Sequence, residues 1–278
     1  MKLSKLLTLP LAALCALGIV PSIAFADGGC DQQCQLARKA QDPLASIRAV
    51  VLDNTVGFDN DRDPQSYAAQ IQPVYSVPTE GRFNVILRGI VPVVGVRDGV
   101  VLPPLGPEPR GQSSYSTGLS DSIVQAFFSP KSDRDLKFGI GPQVSLRTRT
   151  RDDLAGPGWG GGISAVATGF SGRWSYATIV GQHWGQDDYS VATINPVMIY
   201  NSDLLGGSYF GYSNSLTYDW EASSGNRWQI PLGLTAGKTF PRDNGSAIDL
   251  SMGYYKMVER PEGGLESQFK FAVTLIWP

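Results

Sequence analysis

The chain has 278 residues, 42% of them hydrophobic and 17% charged, with 32 glycines, 11 tyrosines and a formal charge of −2. A mean hydropathy of −0.09 excludes a helical membrane protein. Acids slightly outnumber bases, with no clustered Lys/Arg run, so there is no footprint for nucleic acid.

The chain begins with Lys2 and Lys5, an apolar run from Leu6 to Phe25, and the small residues Ala24 and Ala26. A basic start, an apolar middle and small residues at −3 and −1 predict a signal peptide over residues 1–26 and export to the bacterial envelope. Without those residues 21 bases face 25 acids, a net charge of −4. Residues 27–45 form the next unit, a short periplasmic helix around CQLARKAQ that ends at Asp42-Pro43. Cys30 and Cys34 lie within it. An even count in an exported chain points to a disulfide; free thiols are the alternative, and two thiols alone are too few ligands for a metal.

From residue 46 to 278 about twelve segments alternate in two-residue periods: roughly 46–58, 66–77, 82–94, 115–129, 135–147, 159–170, 173–184, 188–201, 207–220, 226–240, 245–257 and 266–277. Every second connection is short (PTEG, PKSDR, SG, SDLLG, PRDN), while long ones such as GVRDGVVLPPLGPEPRGQSS fall between them. Short periplasmic turns, longer outside loops and an even strand number are the pattern of an outer-membrane barrel.

FGYSNSLTYDW, residues 210–220, shows the alternation best. Phe210, Tyr212, Asn214, Leu216, Tyr218 and Trp220 share one face, and small or polar residues share the other. Ten steps of roughly 3.3 Å, tilted by about 40°, project to roughly 25 Å, the height of the lipid-facing band. Phe210, Tyr212, Tyr218, Trp220, Trp228 and Trp277 are therefore expected at the lipid interfaces. The expected fold is all-β: a closed antiparallel transmembrane β-barrel, because lipid leaves no partner for an unpaired strand edge. Pro73, Pro92, Pro142, Pro196 and Pro231 fall inside these segments and are expected at bulges or strand boundaries near the rims. A soluble periplasmic β-sandwich explains the alternation, but neither the outward aromatics nor the turn-length parity.

AQDPLASIRAVVLDNTVGF followed by IQPVYSV resembles the start of a group of bacterial outer-membrane proteins labelled transporters or, misleadingly, after the peptide neuromedin U. That group is similar to the barrel family named for the phenol-degradation MetA pathway. The likeness continues through FGIGPQVSL, PGWGGGISAVA, INPVMIYN, WEASSGNRWQIPLGL and YYKMVERPEG. The resemblance implies an outer-membrane barrel with a periplasmic N-terminal helix and a substrate not established for the family. Such chains often end on an aromatic that the assembly machinery recognises; here Trp277 is penultimate and Pro278 last.

The inward phase carries Asp53, Gln70, Gln72, Arg88, Gln143, Asp219, Arg227, Gln229, Asp249 and Lys270. Such charges either line a water-filled path or lock together as a plug, and twelve strands are narrower than an open porin. His183, the single histidine, lies in GQHWGQDD near Asp187 and Asp188. It is expected in the interfacial girdle, with a rim hydrolase as the alternative. PGWGGG precedes a strand rather than a helix, so it is no phosphate cradle. The leading expectation is a monomeric, non-enzymatic channel or transporter for small molecules, apolar ones among them. No catalytic residue, cofactor or metal is expected. Its partners would be outer-membrane lipid, the assembly machinery and an unknown small-molecule substrate. The alternatives are the hydrolase and a structural or receptor-like barrel without transport.

Overall fold

The computed structural model describes residues 30–59, 64–97, 115–132, 134–154, 156–203 and 207–277. The signal peptide expected over 1–26, most of the long loop before residue 115 and the terminal Pro278 lie outside them. A ten-residue helix, α1 (Gln32–Gln41), comes first. The strand segments are β1 (Arg48–Phe58), β2 (Pro64–Val77), β3 (Phe83–Arg97), β4 (Tyr115–Leu119), β5 (Ser122–Pro130), β6 (Lys137–Leu146), β7 (Gly160–Ser171), β8 (Trp174–Trp184), β9 (Ser190–Asn201), β10 (Ser208–Ser213), β11 (Leu216–Asp219), β12 (Trp228–Pro241), β13 (Ala247–Glu259) and β14 (Ser267–Trp277).

Two pairs of segments are halves of single staves. β10 and β11 follow β9 in one register, with Phe210 opposite Tyr200 and Leu216 opposite Ile194. β4 and β5 both run along β3, offset at Ser120–Asp121. Arg48 of β1 pairs with Trp277 of β14, joining the first strand to the last. The result is the expected closed antiparallel barrel of 12 strands. Closure gives every edge a partner, which lipid surroundings demand. Leu52, Ile71, Phe128, Ile140, Ile163, Leu232 and Met252 face outward and are exposed. Alternate residues such as Gln125, Ser164, Ser175 and Thr239 face inward and are buried.

The links 78–82, 131–136, 172–173, 202–207 and 242–246 lie at the same end as Arg48 and Trp277, the turn end. Gly172 takes a positive φ of 53° in the two-residue link between β7 and β8, where a side chain would be strained. The strand ends that flank the other links lie at the opposite, loop end.

Pro73, Pro92, Pro142 and Pro196 sit well within the strands rather than near the rims, whereas Pro231, the fourth residue of β12, lies at a register shift against β13 between Ile230 and Pro231, as a bulge would. In an antiparallel ladder a residue's N–H and C=O point to the same neighbour, so each missing N–H affects one seam alone. Pro73 pairs with Val50 on one side, and on the other the β2–β3 ladder skips from Ile71 to Val74. Pro92 faces the Ser120–Asp121 offset, its carbonyl accepting from Ser120 N at 3.0 Å. Pro142 faces the skip between Gln125 and Phe128 on β5. Pro196 faces the break at Asn214 between β10 and β11. Pro231 lies in the widest break: the ladder between the β10/β11 stave and β12 stops at Gly211–Thr235 and resumes at Thr217–Gln229. Across that interval the Tyr212 hydroxyl donates to the Pro231 carbonyl at 2.7 Å.

Candidate functional site

The segment before β1 enters the lumen from the turn end and packs against its inner wall. Asp31 caps α1 by accepting from Cys34 N at 2.8 Å. Cys30 and Cys34 are joined by a disulfide, Cα to Cα 5.2 Å, across the helix's first turn. Leu36 and Ala40 pack on Ala49, Ala247 and Ile276 of the inner wall. Beyond the helix, Leu44 is inserted against Ile86, Phe127 and Val166, side chains from three different strands. Polar ties fix the edge of this stopper. Lys137 Nζ meets Asp42 Oδ2 at 3.2 Å, Gln41 donates to Asn201 Oδ1 at 2.9 Å, and Arg38 donates to the Gly172 carbonyl while lying 5.2 Å from the Phe170 ring centroid.

Above the stopper is a cavity of about 290 Å³. Its floor is Ala40, Asp42 and Pro43, and its wall includes Val74, Ile86, Phe127, Ile179, Val197 and Tyr255. At mid-barrel the wall turns polar. Lys270 Nζ pairs with Asp53 Oδ2 at 3.2 Å. Arg88 donates to Gln72 Oε1 at 2.6 Å and reaches Gln125 Oε1 at 3.5 Å. Gln125 donates in turn to Gln143 Oε1 at 2.8 Å, and Ser164 to the same oxygen at 2.7 Å. A Cβ on Gly162 would lie 2.0 Å from the Gln182 carbonyl oxygen and 2.9 Å from Gln143 Nε2, so glycine is needed beside the belt. Nearer the turn end Asp249 accepts from the Tyr209 hydroxyl at 2.7 Å and from Thr239.

The loop between β6 and β7 folds over the other end. Asp121 and Arg149 form an ion pair at 3.1 Å, with side-chain exposures of 0% and 8%, and Gly158 N donates to Asp121 Oδ2 at 2.7 Å. Leu154 is buried below them. Hydrogen bonds from Arg151 and then Ser116 hold the Asp153 carboxyl down at about 2. Burial, with Asp219 and Asp121 nearby, pushes the Tyr189 phenol well up.

Of the residues expected in the lumen, Asp53, Gln72, Arg88, Asp249 and Lys270 line the cavity. Gln70 accepts from Gln72 at 2.7 Å, and Gln143 is buried in the belt. Asp219 lies at the loop end and accepts from Glu221 N at 2.9 Å; Gln229 pairs with Thr217 beside it. Arg227 is a correction: it is exposed in the loop before β12, donating to the Ala222 carbonyl and the Tyr218 hydroxyl, because the strand begins one residue later. Among the aromatics Phe210, Trp220, Trp228 and Trp277 are exposed outside, and Tyr218 stacks edge-on between Trp220 and Trp228 at 4.7 and 4.8 Å. Tyr212 is a second correction: it bridges the mid-wall break and meets Tyr255 edge-on at 5.8 Å. His183 is a third. It points inward, 5% exposed, with Nε2 2.9 Å from Ser145 Oγ, and Trp184 takes the outward position.

Compared with solved structures, the chain is similar to the COG4313 outer membrane channel of Pseudomonas putida F1, with a TM-score of 0.56 over 84% of this chain and 96% of that one. The fold is that of an outer-membrane β-barrel. At 12% identity the likeness speaks for the fold alone. CdiB from Acinetobacter baumannii (TM-score 0.36, 9% identity, 84% of this chain, 60% of that one) and OmpT of Vibrio cholerae (0.33, 9%, 83% and 98%) are too distant to carry an argument. No protein family matches the chain, and no curated protein does.

Sequence reasoning missed the depth of the stopper in this barrel and the Asp121–Arg149 clasp. The run Leu44, Ala45, Ile47 after the helix was a signal, since apolar residues between a polar helix and a strand need a wall to cover them.

Proposed function

We propose that this outer-membrane barrel passes small, largely apolar molecules, taking them up in the cavity above the stopper and releasing them when residues 30–47 shift, without chemical change. The observation that carries this reading is the cavity itself: an apolar wall topped by a polar belt and floored by a segment held through its edges. A pocket of that character suits a ligand with an apolar body. The turn end would face the periplasm, in line with the short links there and with the start of β1 and the end of β14.

Against a hydrolase, Ser145 is fully buried beside His183, and His183 Nδ1 has no hydrogen-bond partner among the described residues to orient the ring. The test is uptake of toluene and of a neutral sugar into proteoliposomes. Faster entry of toluene than into empty vesicles, with little entry of sugar, is the expected result. Equal rates with and without protein would leave a structural or receptor-like barrel.

A further inference from the structure

The charges around the cavity do not balance locally. At mid-barrel two cations, Arg88 and Lys270, meet one acid, Asp53, and that acid already pairs with Lys270 at 3.2 Å. Among the described residues Arg88 hydrogen-bonds only to neutral amide oxygens, those of Gln72 and Gln125. Arg88 lines the cavity at mid-barrel and is half-buried there in its own strand's wall, with little solvent around it. A cation so placed is ordinarily neutralised by an anion, because removing it from water is costly otherwise.

The remaining acids at the cavity are engaged elsewhere. Asp42 meets Lys137 at the stopper. Asp249 is held by the Tyr209 and Thr239 hydroxyls. Lys270 pairs in register with Gly253, and Asp249 lies four residues along β13, about 13 Å away. The cavity thus has a positive pole at the belt and a negative pole toward the turn end, with apolar wall between them.

From this arrangement we propose that the cavity binds amphipathic monocarboxylates, the carboxylate seated at Arg88 beside Lys270 and the apolar body along Ile86, Phe127, Ile179 and Val197. The guanidinium fork matches a carboxylate through two parallel hydrogen bonds, which neither an alcohol nor an amine reproduces. The opposite field at Asp249 sets the ligand's direction. A volume of about 290 Å³ restricts it to a short chain or a single substituted ring. This inference deepens the transport reading and rests on it for the cavity being entered at all.

The experiment is binding of octanoate, 1-octanol and octylamine to the mature barrel in lipid nanodiscs, by calorimetry at pH 7, with empty nanodiscs subtracted. Octanoate is expected to bind at least about tenfold more tightly than octanol, with octylamine weakest. In Arg88→Gln the preference for octanoate over octanol collapses while octanol binding stays. Folding of that variant is checked by its heat-dependent shift in gel mobility. Should the variant not fold, the ranking of the three ligands on the parent protein decides alone. Octanol bound as tightly as octanoate, or octylamine bound best through Asp53, overturns the proposal and leaves the transport reading intact. No binding of any of the three, together with no toluene uptake, removes the transport reading itself.

Discussion

Lys137 reaches across the mouth of the barrel to Asp42, tying the wall to the segment that packs against it. Asp42 is 5% exposed, so Lys137→Met would leave a buried carboxylate with, among the described residues, only the Leu44 amide as a hydrogen-bond donor. The seating of the stopper should weaken by about 1–3 kcal/mol. Single-channel recording in planar bilayers should then show larger or more frequent openings than in the parent. Leu44→Ala should act in the same direction by emptying the site between Ile86, Phe127 and Val166. Identical traces for all three proteins would show that the stopper does not limit flow.

A second expectation concerns the wall. Residues 212–216 and 230–234 lack mutual ladder pairing, whereas β7 and β8 are paired from Gly161–Trp184 to Ser171–Trp174. Hydrogen exchange followed by mass spectrometry should find faster uptake of deuterium in peptides covering these two stretches, each paired on one side alone, than in β7 and β8. Removing the Tyr212 hydroxyl, in Tyr212→Phe, should widen the difference, since that hydroxyl donates across the interval. Uniform protection around the barrel would contradict it.

The Asp153 carboxyl, held at about 2 by Arg151 and Ser116, gives a pH expectation with a definite sign. A carboxyl lowered on folding adds stability above its unfolded value, about 4, and loses that contribution as pH falls toward its folded value. The loop over 147–154 should therefore keep its protection at pH 5 and lose it between about 4 and 2. Arg151 is 54% exposed, so the contribution is small. Asp153→Asn should abolish the pH step while leaving the barrel folded; a step persisting in the variant would assign it to another group.

His183→Ala removes the partner of the fully buried Ser145 hydroxyl. The expected cost is about 1–2 kcal/mol of stability, seen as a lower unfolding temperature. Toluene entry should stay within about twofold of the parent under conditions where both are folded. Loss of an esterase activity present in the parent would revive the hydrolase.

Much of the architecture was legible before any coordinates. The stave containing Phe210 and Trp220 follows from its two-residue period, and closure follows from strand parity and the link lengths. The five prolines were visible too. Their placement was not, because which seam tolerates a missing N–H depends on the neighbouring strand's register, a property no single segment carries. For the same reason Tyr212 reads as an interface aromatic by period alone. His183 was misassigned although its own strand held the answer: it shares parity with Ser175 and Ala177, both buried inward. The aromatic Trp184 beside it suggested the girdle, and that position belongs to Trp184 alone. A helix entering the lumen as part of a plug is legible, and the run Leu44, Ala45, Ile47 signals it; its seat is not, since Leu44 meets side chains 42, 83 and 122 positions further along.

The Arg48–Trp277 pairing has a consequence for biogenesis. The hoop is completed only when β14 zips against β1, so until then two unsatisfied borders invite neighbouring chains. The stopper is tethered directly ahead of that first strand. It is therefore on hand while the hoop is still open, and can be enclosed as the final seam zips rather than having to thread into a finished cylinder.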